Sequence, residues 1–199
     1  YNLLEEKLKE QGYDKVRIGI MPENTGAKKF WTALGFKWYA NKQWLGKTVE
    51  CFEKHIDTST IGIIVDDDVD GFTSASLLYR FIKDNFENEI IYIIHEKNKT
   101  HGIILEELEP YLDKINLLIV PDAGTNDISQ HSFLKQKGID IIVLDHHELE
   151  TYSTDAIIVN NKFSQVAVNL TGVAMVYKFI EAIAEKYSIN DIDIYLDLV

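Results

Sequence analysis

From residue 61 onward, short runs rich in Ile, Val and Leu alternate with longer stretches of helical periodicity, and this pattern constrains the fold most. The apolar runs are 61–65, 90–94, 117–120, 139–144 and 156–159; helical patterns occupy 73–86, 103–112, 128–137 and 172–187. A strand that is apolar at every position has no face to give to water, so it must be covered on both sides. Strand and helix repeated in this order predict an α/β fold, a mostly parallel sheet with helices on both faces.

The first 55 residues follow a different plan. Leu3, Leu4 and Leu8 recur at helical spacing, with Gly12 placed to end the run. A strand over 16–20 follows, then Asn24 as an N-cap for a helix carrying Ala27, Phe30, Trp31 and Leu34 and stopped by Gly35. Two further strands, 36–40 and 47–52, are joined around 41–46. This is a small α+β unit. Charge marks the same division: residues 1–55 hold ten Lys/Arg against seven Asp/Glu, whereas 56–199 hold ten against twenty-five. Two domains, 1–55 and 56–199, are therefore expected.

So acidic a second domain argues against a broad phosphate-gripping surface built on Lys and Arg. Carboxylates clustered around divalent cations are the sharper reading, because the ions reverse the local sign. A hydrophobic content of 46% with 26% charged residues excludes wholesale disorder. No apolar run is long enough to span a bilayer, so no membrane partner is expected. Cys51 is the only cysteine, which excludes an internal disulfide and suits a reducing compartment. With no basic and apolar leader opening the chain, the expected location is the cytoplasm. Oligomeric state is not legible.

In a sheet of this kind, ligands gather at the carboxyl ends of the strands. Three such ends carry acidic or imidazole groups: Asp66-Asp67-Asp68-Val69-Asp70-Gly71, Pro121-Asp122-Ala123-Gly124 and Asp145-His146-His147-Glu148. One acidic strand end is readily a helix cap; three together point to chemistry. Oxygen donors with one or two imidazoles suit Mn²⁺ or Mg²⁺. If the first run is extended, Asp66, Asp68 and Asp70 point one way and enclose a cation. Gly71 then turns the chain into a helix whose N-terminus can receive phosphate. An EF-hand is excluded, since its twelfth position would be Leu77.

These three runs resemble motifs I, II and III of the DHH phosphoesterase superfamily, nearest to the RecJ-type single-stranded-DNA exonucleases. The likeness covers 61–199 and includes Gly138-Ile139-Asp140, Val159-Asn160-Asn161 and Leu170-Thr171-Gly172-Val173. It implies two divalent cations, Mn²⁺ ahead of Mg²⁺, with Asp68 and Asp70 as ligands, Asp66 beside them, Asp122 bridging and His146 completing the second site. It implies that His147 faces the scissile phosphate and that Asp145 orients the two histidines. It places His101 and Gly102 on a substrate-contacting loop and Asn161 near substrate. Asp67, Lys97, Lys99 and Arg80 read as solvated charges, and His95 and His131 as ordinary surface or satisfied histidines. A further ligand, from motif IV, is expected in the continuation of 195–199.

Residues 3–54 resemble the C-terminal half of a GNAT-type acetyltransferase, through Pro22-Glu23-Asn24-Thr25-Gly26-Ala27, Leu34-Gly35-Phe36 and Gly46-Lys47-Thr48. That family's pyrophosphate loop would precede Tyr1, and Trp31 stands where its tyrosine is often used, so a packing or partner-binding role is expected instead. The expectation for the whole chain is a metal-dependent phosphodiesterase acting on single-stranded nucleic acid, 5′ to 3′. Hydrolysis of short oligonucleotides or cyclic dinucleotides is the alternative within the class. A non-enzymatic binding module is the alternative outside it.

Overall fold

A computed structural model describes residues 15–55, 59–95, 101–163 and 169–199, together with 4, 5, 7, 8, 11 and 13. Leu3, Gly12, Lys97 and Lys99 lie outside the described residues. The chain forms two units, Tyr1–Thr58 and Ser59–Val199.

The first unit is a three-stranded antiparallel sheet in the order β1-β3-β2, built from β1 (Lys15–Ile20), β2 (Lys37–Trp44) and β3 (Lys47–His55). Its helix α1 (Thr25–Ala33) begins where Asn24 accepts a hydrogen bond from the Ala27 amide at 3.0 Å. Ile20, Phe36 and Phe52 form a small core with Val16, Ile18, Ala27, Trp31 and Leu34. Phe30 and Trp38 stay exposed. The β2–β3 hairpin turns through Leu45 and Gly46, both at positive φ (48° and 77°), the backbone that matches the twist of two tightly joined strands.

The second unit is a five-stranded parallel sheet in the order β5-β4-β6-β7-β8. Its strands are β4 (Thr60–Val65), β5 (Glu89–Ile94), β6 (Leu117–Pro121), β7 (Asp140–Asp145) and β8 (Ile157–Asn160). Alternate side chains feed two cores. Ile61, Ile63, Val65, Ile119 and Leu144 pack against α2 (Val69–Asn85) and α5 (Gly172–Tyr187). Ile64, Leu118, Val120, Ile141 and Val143 face the other way, toward α3 (Leu105–Leu108) and α4 (Ile128–Gln136). Gly62 keeps this second face close-packed: a Cβ there would sit 3.1–3.3 Å from Leu118, Ile115 and Ile93. The central strands β4, β6 and β7 are thus largely buried on both faces, whereas the edge strands β5 and β8 leave Tyr92, Ile94 and Ile157 exposed.

Two expectations at element level are corrected. The helix expected over 103–112 is one α-turn followed by a 3₁₀ turn, Glu109–Tyr111. Pro110 lacks the N–H that would continue the α pattern. The helix expected to begin at Thr73 begins at Val69, because the Asp68 carboxylate caps the Gly71 amide at 2.8 Å. The chain is therefore extended only as far as Asp68, and Asp70 lies inside the first helical turn. The alternation expected to aim Asp66, Asp68 and Asp70 together does not exist.

Candidate metal centre and active site

Strand β4 pairs with β5 on one side and β6 on the other, so the order of connection reverses between β4 and β6. A crevice opens at the carboxyl ends of strands at such a point. Asp66 leaves β4 and Asp122 leaves β6 on either side of it. Both are buried, at 0% and 1% exposure.

Two donor groups assemble there. Asp122, His146 and His147 bring ligand atoms within 4.8 Å of one another, and so do Asp66, Asp68 and His101. His146 Nε2 lies 3.1 Å from Asp122 Oδ1 and 3.8 Å from Asp70 Oδ2. Asp122 has a left-handed backbone (φ 67°), an uncommon state for a residue with a Cβ. Its Oδ1 is buried and accepts no well-aligned hydrogen bond among the described residues. Burial, then the charges of Asp70 and Asp68, push the Asp122 carboxyl up to about 7. A buried carboxylate left unsatisfied among other carboxylates is what a divalent cation relieves, so these residues fit the metal the motifs imply.

Gly172 makes room for this group. A Cβ at that position would collide with the Asp122 carboxylate. Gly71 does the same for Asp66, whose Cβ would be 2.5 Å from an added methyl carbon.

Asp145 ends β7 and holds the histidine pair from behind. Its Oδ1 accepts from the His146 amide at 2.7 Å, the His147 amide at 3.1 Å and His147 Nδ1 at 2.7 Å, while Oδ2 accepts from the Thr125 amide at 3.1 Å. Burial alone would raise the Asp145 pKa. The bonds from Thr125 and His147 outweigh it and hold the carboxyl below its ordinary value. With Nδ1 donating, the Nε2 lone pair of His147 is directed outward.

His101 Nδ1 contacts Asp66 Oδ2 at 2.5 Å, and this bond with the Asp66 charge raises the histidine's pKa. Its loop is clamped. His95 bonds Glu107 through Nδ1 at 2.5 Å and the Gly102 carbonyl through Nε2 at 2.8 Å, and the Ile103 amide donates to Asp127 Oδ2 at 2.7 Å. Gly102 (φ 93°) has no space for a Cβ, because Asp127 fills it. A cavity of roughly 200 Å³ lies alongside, lined in part by His101, Gly102, Gly124, Asp145 and His147.

Several residues take places other than those expected. Asp70 accepts the Gly172 and Val173 amides at 2.8 and 2.9 Å, capping α5, and belongs to neither donor group. His147 and His101, expected to serve substrate, line the cavity and also stand among the donors. Asn161 opens a 3₁₀ turn after β8 and lines no part of the cavity. Its neighbour Asn160 reaches Thr125 Oγ1 and the His147 carbonyl, each at 3.0 Å. His95, expected at the surface or satisfied, is buried and satisfied by Glu107 and the Gly102 carbonyl, while Arg80, expected as a solvated charge, is paired with Asp197 at 3.0 Å. Burial lowers the pKa of His131, which is fully enclosed near Asp127. Sequence reasoning passed over Thr125 and Asp127, and gave Asn160 and Gly172 a place in the family resemblance but no role. Only proximity to the three motifs hinted at the first two.

The model of the DHH family's N-terminal domain matches residues 60–199. The chain belongs to the DHH family. A protein of Bacillus subtilis (strain 168), YorK, named as an SPbeta prophage-derived single-strand DNA-specific exonuclease, is 38% identical over 164 residues. That match takes in 81% of this chain and 28% of the relative. It covers more of the chain than 59–199 contain, so it runs into the first unit. The single-stranded-DNA-specific exonuclease RecJ of Haemophilus influenzae is 28% identical over 155 residues, 75% of this chain and 26% of that protein. Among solved structures, exonuclease RecJ bound to manganese superposes with a TM-score of 0.64 at 21% identity, over 70% of this chain and 36% of that one. RecJ from Thermus thermophilus in complex with Mn²⁺ gives a TM-score of 0.60 at 21% identity, over 70% of this chain and 20% of that one. These structural likenesses establish the DHH fold. The chain spans about a quarter of the length of the curated relatives it matches. None of these matches supports the acetyltransferase resemblance of residues 3–54. No helix among the described residues is long and apolar enough to cross a membrane.

Proposed function

We propose that this chain carries the hydrolytic centre of a metal-dependent phosphodiesterase that removes nucleotides from single-stranded DNA, 5′ to 3′, in the cytoplasm. The observation that carries this reading is the pair of donor groups, Asp122–His146–His147 and Asp66–Asp68–His101, at the β4/β6 crevice of a DHH fold. The names of the exonuclease relatives support the substrate class. Residues in these two groups would hold two divalent cations, Mn²⁺ ahead of Mg²⁺. When bound, such ions supply a nucleophile from water at neutral pH and stabilise charge on the phosphate and leaving oxygen.

The chain's own residues set the rest. Asp122, buried and surrounded by acid, holds its proton up to about pH 7, and a bound cation displaces that proton at lower pH. Asp145 fixes the tautomer and orientation of His147, whose Nε2 lone pair then faces the open side as a cation ligand, or, once protonated, as a donor to a phosphate oxygen. The clamp formed by His95, Glu107 and Asp127 holds His101 over Asp66. The roughly 200 Å³ cavity next to His147 suits a single nucleotide unit better than a duplex.

The test is digestion, with Mn²⁺, of single-stranded DNA labelled at either end, of dinucleotides and of a cyclic dinucleotide. Stepwise loss from the 5′ end of the long strand is expected. Cleavage of dinucleotides alone would move the substrate to short oligonucleotides. Hydrolysis of none of them, or hydrolysis unchanged by EDTA, would overturn the proposal.

A further inference from the structure

The second unit is strongly acidic, so a nuclease reading leaves open what grips a polyanionic strand. The outer face of the first unit's sheet supplies an answer. The strand register places Lys15, Arg17, Lys37, Lys42, Lys47 and His55 on the face opposite the Ile18–Phe52 core, with Glu53 as the one carboxylate in that set. Arg17 already neutralises Glu53, at 3.0 Å, and lowers its pKa. At the hairpin end of this face, Lys42 stands opposite Val49 and Lys47 opposite Trp44, so the register sets no carboxylate against either lysine. Like charges gathered on one sheet face repel one another, and an anion laid across them relieves that repulsion.

Aromatic rings are interleaved with these cations. Tyr39, at the bulge between Trp38 and Ala40, lies beneath both Arg17 (5.2 Å) and Lys42 (5.5 Å). Trp44 pairs across the hairpin with Lys47 and is 67% exposed. With Gly19, Val49 and Cys51, the residues Arg17, Tyr39, Lys42 and Trp44 line a groove of roughly 470 Å³, larger than the cavity at the metal centre; Lys47 stands opposite Trp44 in the strand register. Leu45, 87% exposed, holds a left-handed backbone at the rim, where Asn or Gly would be the unstrained choice.

We infer that this face is a binding platform for single-stranded nucleic acid, with bases stacked on Trp44 and Tyr39 and phosphates held by Lys42 and Lys47. Cations alone would suit any polyanion, and aromatic rings alone would suit a protein. Their alternation within one groove is the chemistry of single-strand binding. The exonuclease relative's match, which extends into this unit, agrees with a role tied to the same substrate. The inference rests on the proposed function for the identity of the strand, but it is measured without catalysis.

The experiment uses the full chain in EDTA. Anisotropy of a fluorescein-labelled oligo-dT 20-mer should report binding that weakens as salt rises, and unlabelled oligo-dT should quench tryptophan fluorescence. Lys42→Glu and Tyr39→Ala should each weaken binding at least about tenfold. Trp44→Phe should remove most of the quench while circular dichroism and the melting temperature stay unchanged. Binding unaffected by all three variants overturns the inference. So does equal binding of duplex DNA or heparin without a quench, which would mark a general polyanion surface. If Mn²⁺-dependent hydrolysis of single-stranded DNA is absent while the quench persists, the proposed function fails and the platform stands; if hydrolysis is present and the quench absent, the platform fails and the proposed function stands.

Discussion

Asp122 concentrates the strain of the site in one residue: buried, in a left-handed backbone and surrounded by other acids. Its folded-state pKa, raised to about 7, lies above that of an unfolded aspartate, so the folded chain keeps a proton the unfolded chain has lost. Metal-free stability therefore falls as pH rises from about 4 to about 7 on this account, and Mn²⁺ affinity rises over the same window as the cation displaces the proton. Asp122→Asn should flatten both trends. In EDTA at pH 8 it should melt higher than wild type, by a margin on the order of 1–3 kcal/mol, because an ionised and unsatisfied group is gone. Asp145→Asn should act differently. It weakens the grip on His147 Nδ1, so kcat should fall roughly 10²-fold or more, with Mn²⁺ affinity lowered by roughly 10–100-fold rather than abolished. Single-turnover hydrolysis beside a Mn²⁺ titration separates the two. Both aspartates were legible in the sequence because each ends an apolar run. Their different environments were not, since those depend on Thr125, on Gly172 and on a carboxylate from another strand end.

At the level of elements, Asp70 shows what local reading leaves out. Alternation within six residues and the family resemblance suggested a ligand; the structure adds that the side chain accepts the amides of Gly172 and Val173, 102 and 103 positions away in the chain. Capping at Asp68 had already turned Asp70 into the helix. Asp70→Ala should therefore destabilise the chain by about 1–2 kcal/mol even in EDTA, as loss of a helix cap does. A ligand role alone would leave the metal-free melting curve unchanged or raised. Gly172→Ala tests the same junction from the other side. The added methyl must displace Asp122, and a cost of roughly 1–3 kcal/mol with weakened Mn²⁺ binding is expected in thermal and calorimetric measurements. Helix α5 itself was readable, 172–187, because Thr171 caps it and its apolar face is continuous. The segment after Gly102 was overread as a helix because its leucines are well spaced while Pro110 interrupts it.

For the whole molecule, the parallel sheet and its order of elements followed from periodicity, because strands buried on both faces leave no polar positions to confuse the pattern. The order β5-β4-β6-β7-β8 did not follow from the sequence, yet it is what sets Asp66 and Asp122 on opposite lips of one crevice. The charge contrast between the units was read first as a boundary. The structure gives it a second meaning, an acidic unit that collects cations and a basic sheet face that suits phosphates. The most direct test of the account is calorimetric titration of Mn²⁺ into the metal-free full chain at pH 7.5, beside Asp122→Asn. Saturable binding with a raised melting temperature, both lost in Asp122→Asn, is the predicted result. No heat and no shift in the wild type, or binding that the substitution leaves intact, would contradict it.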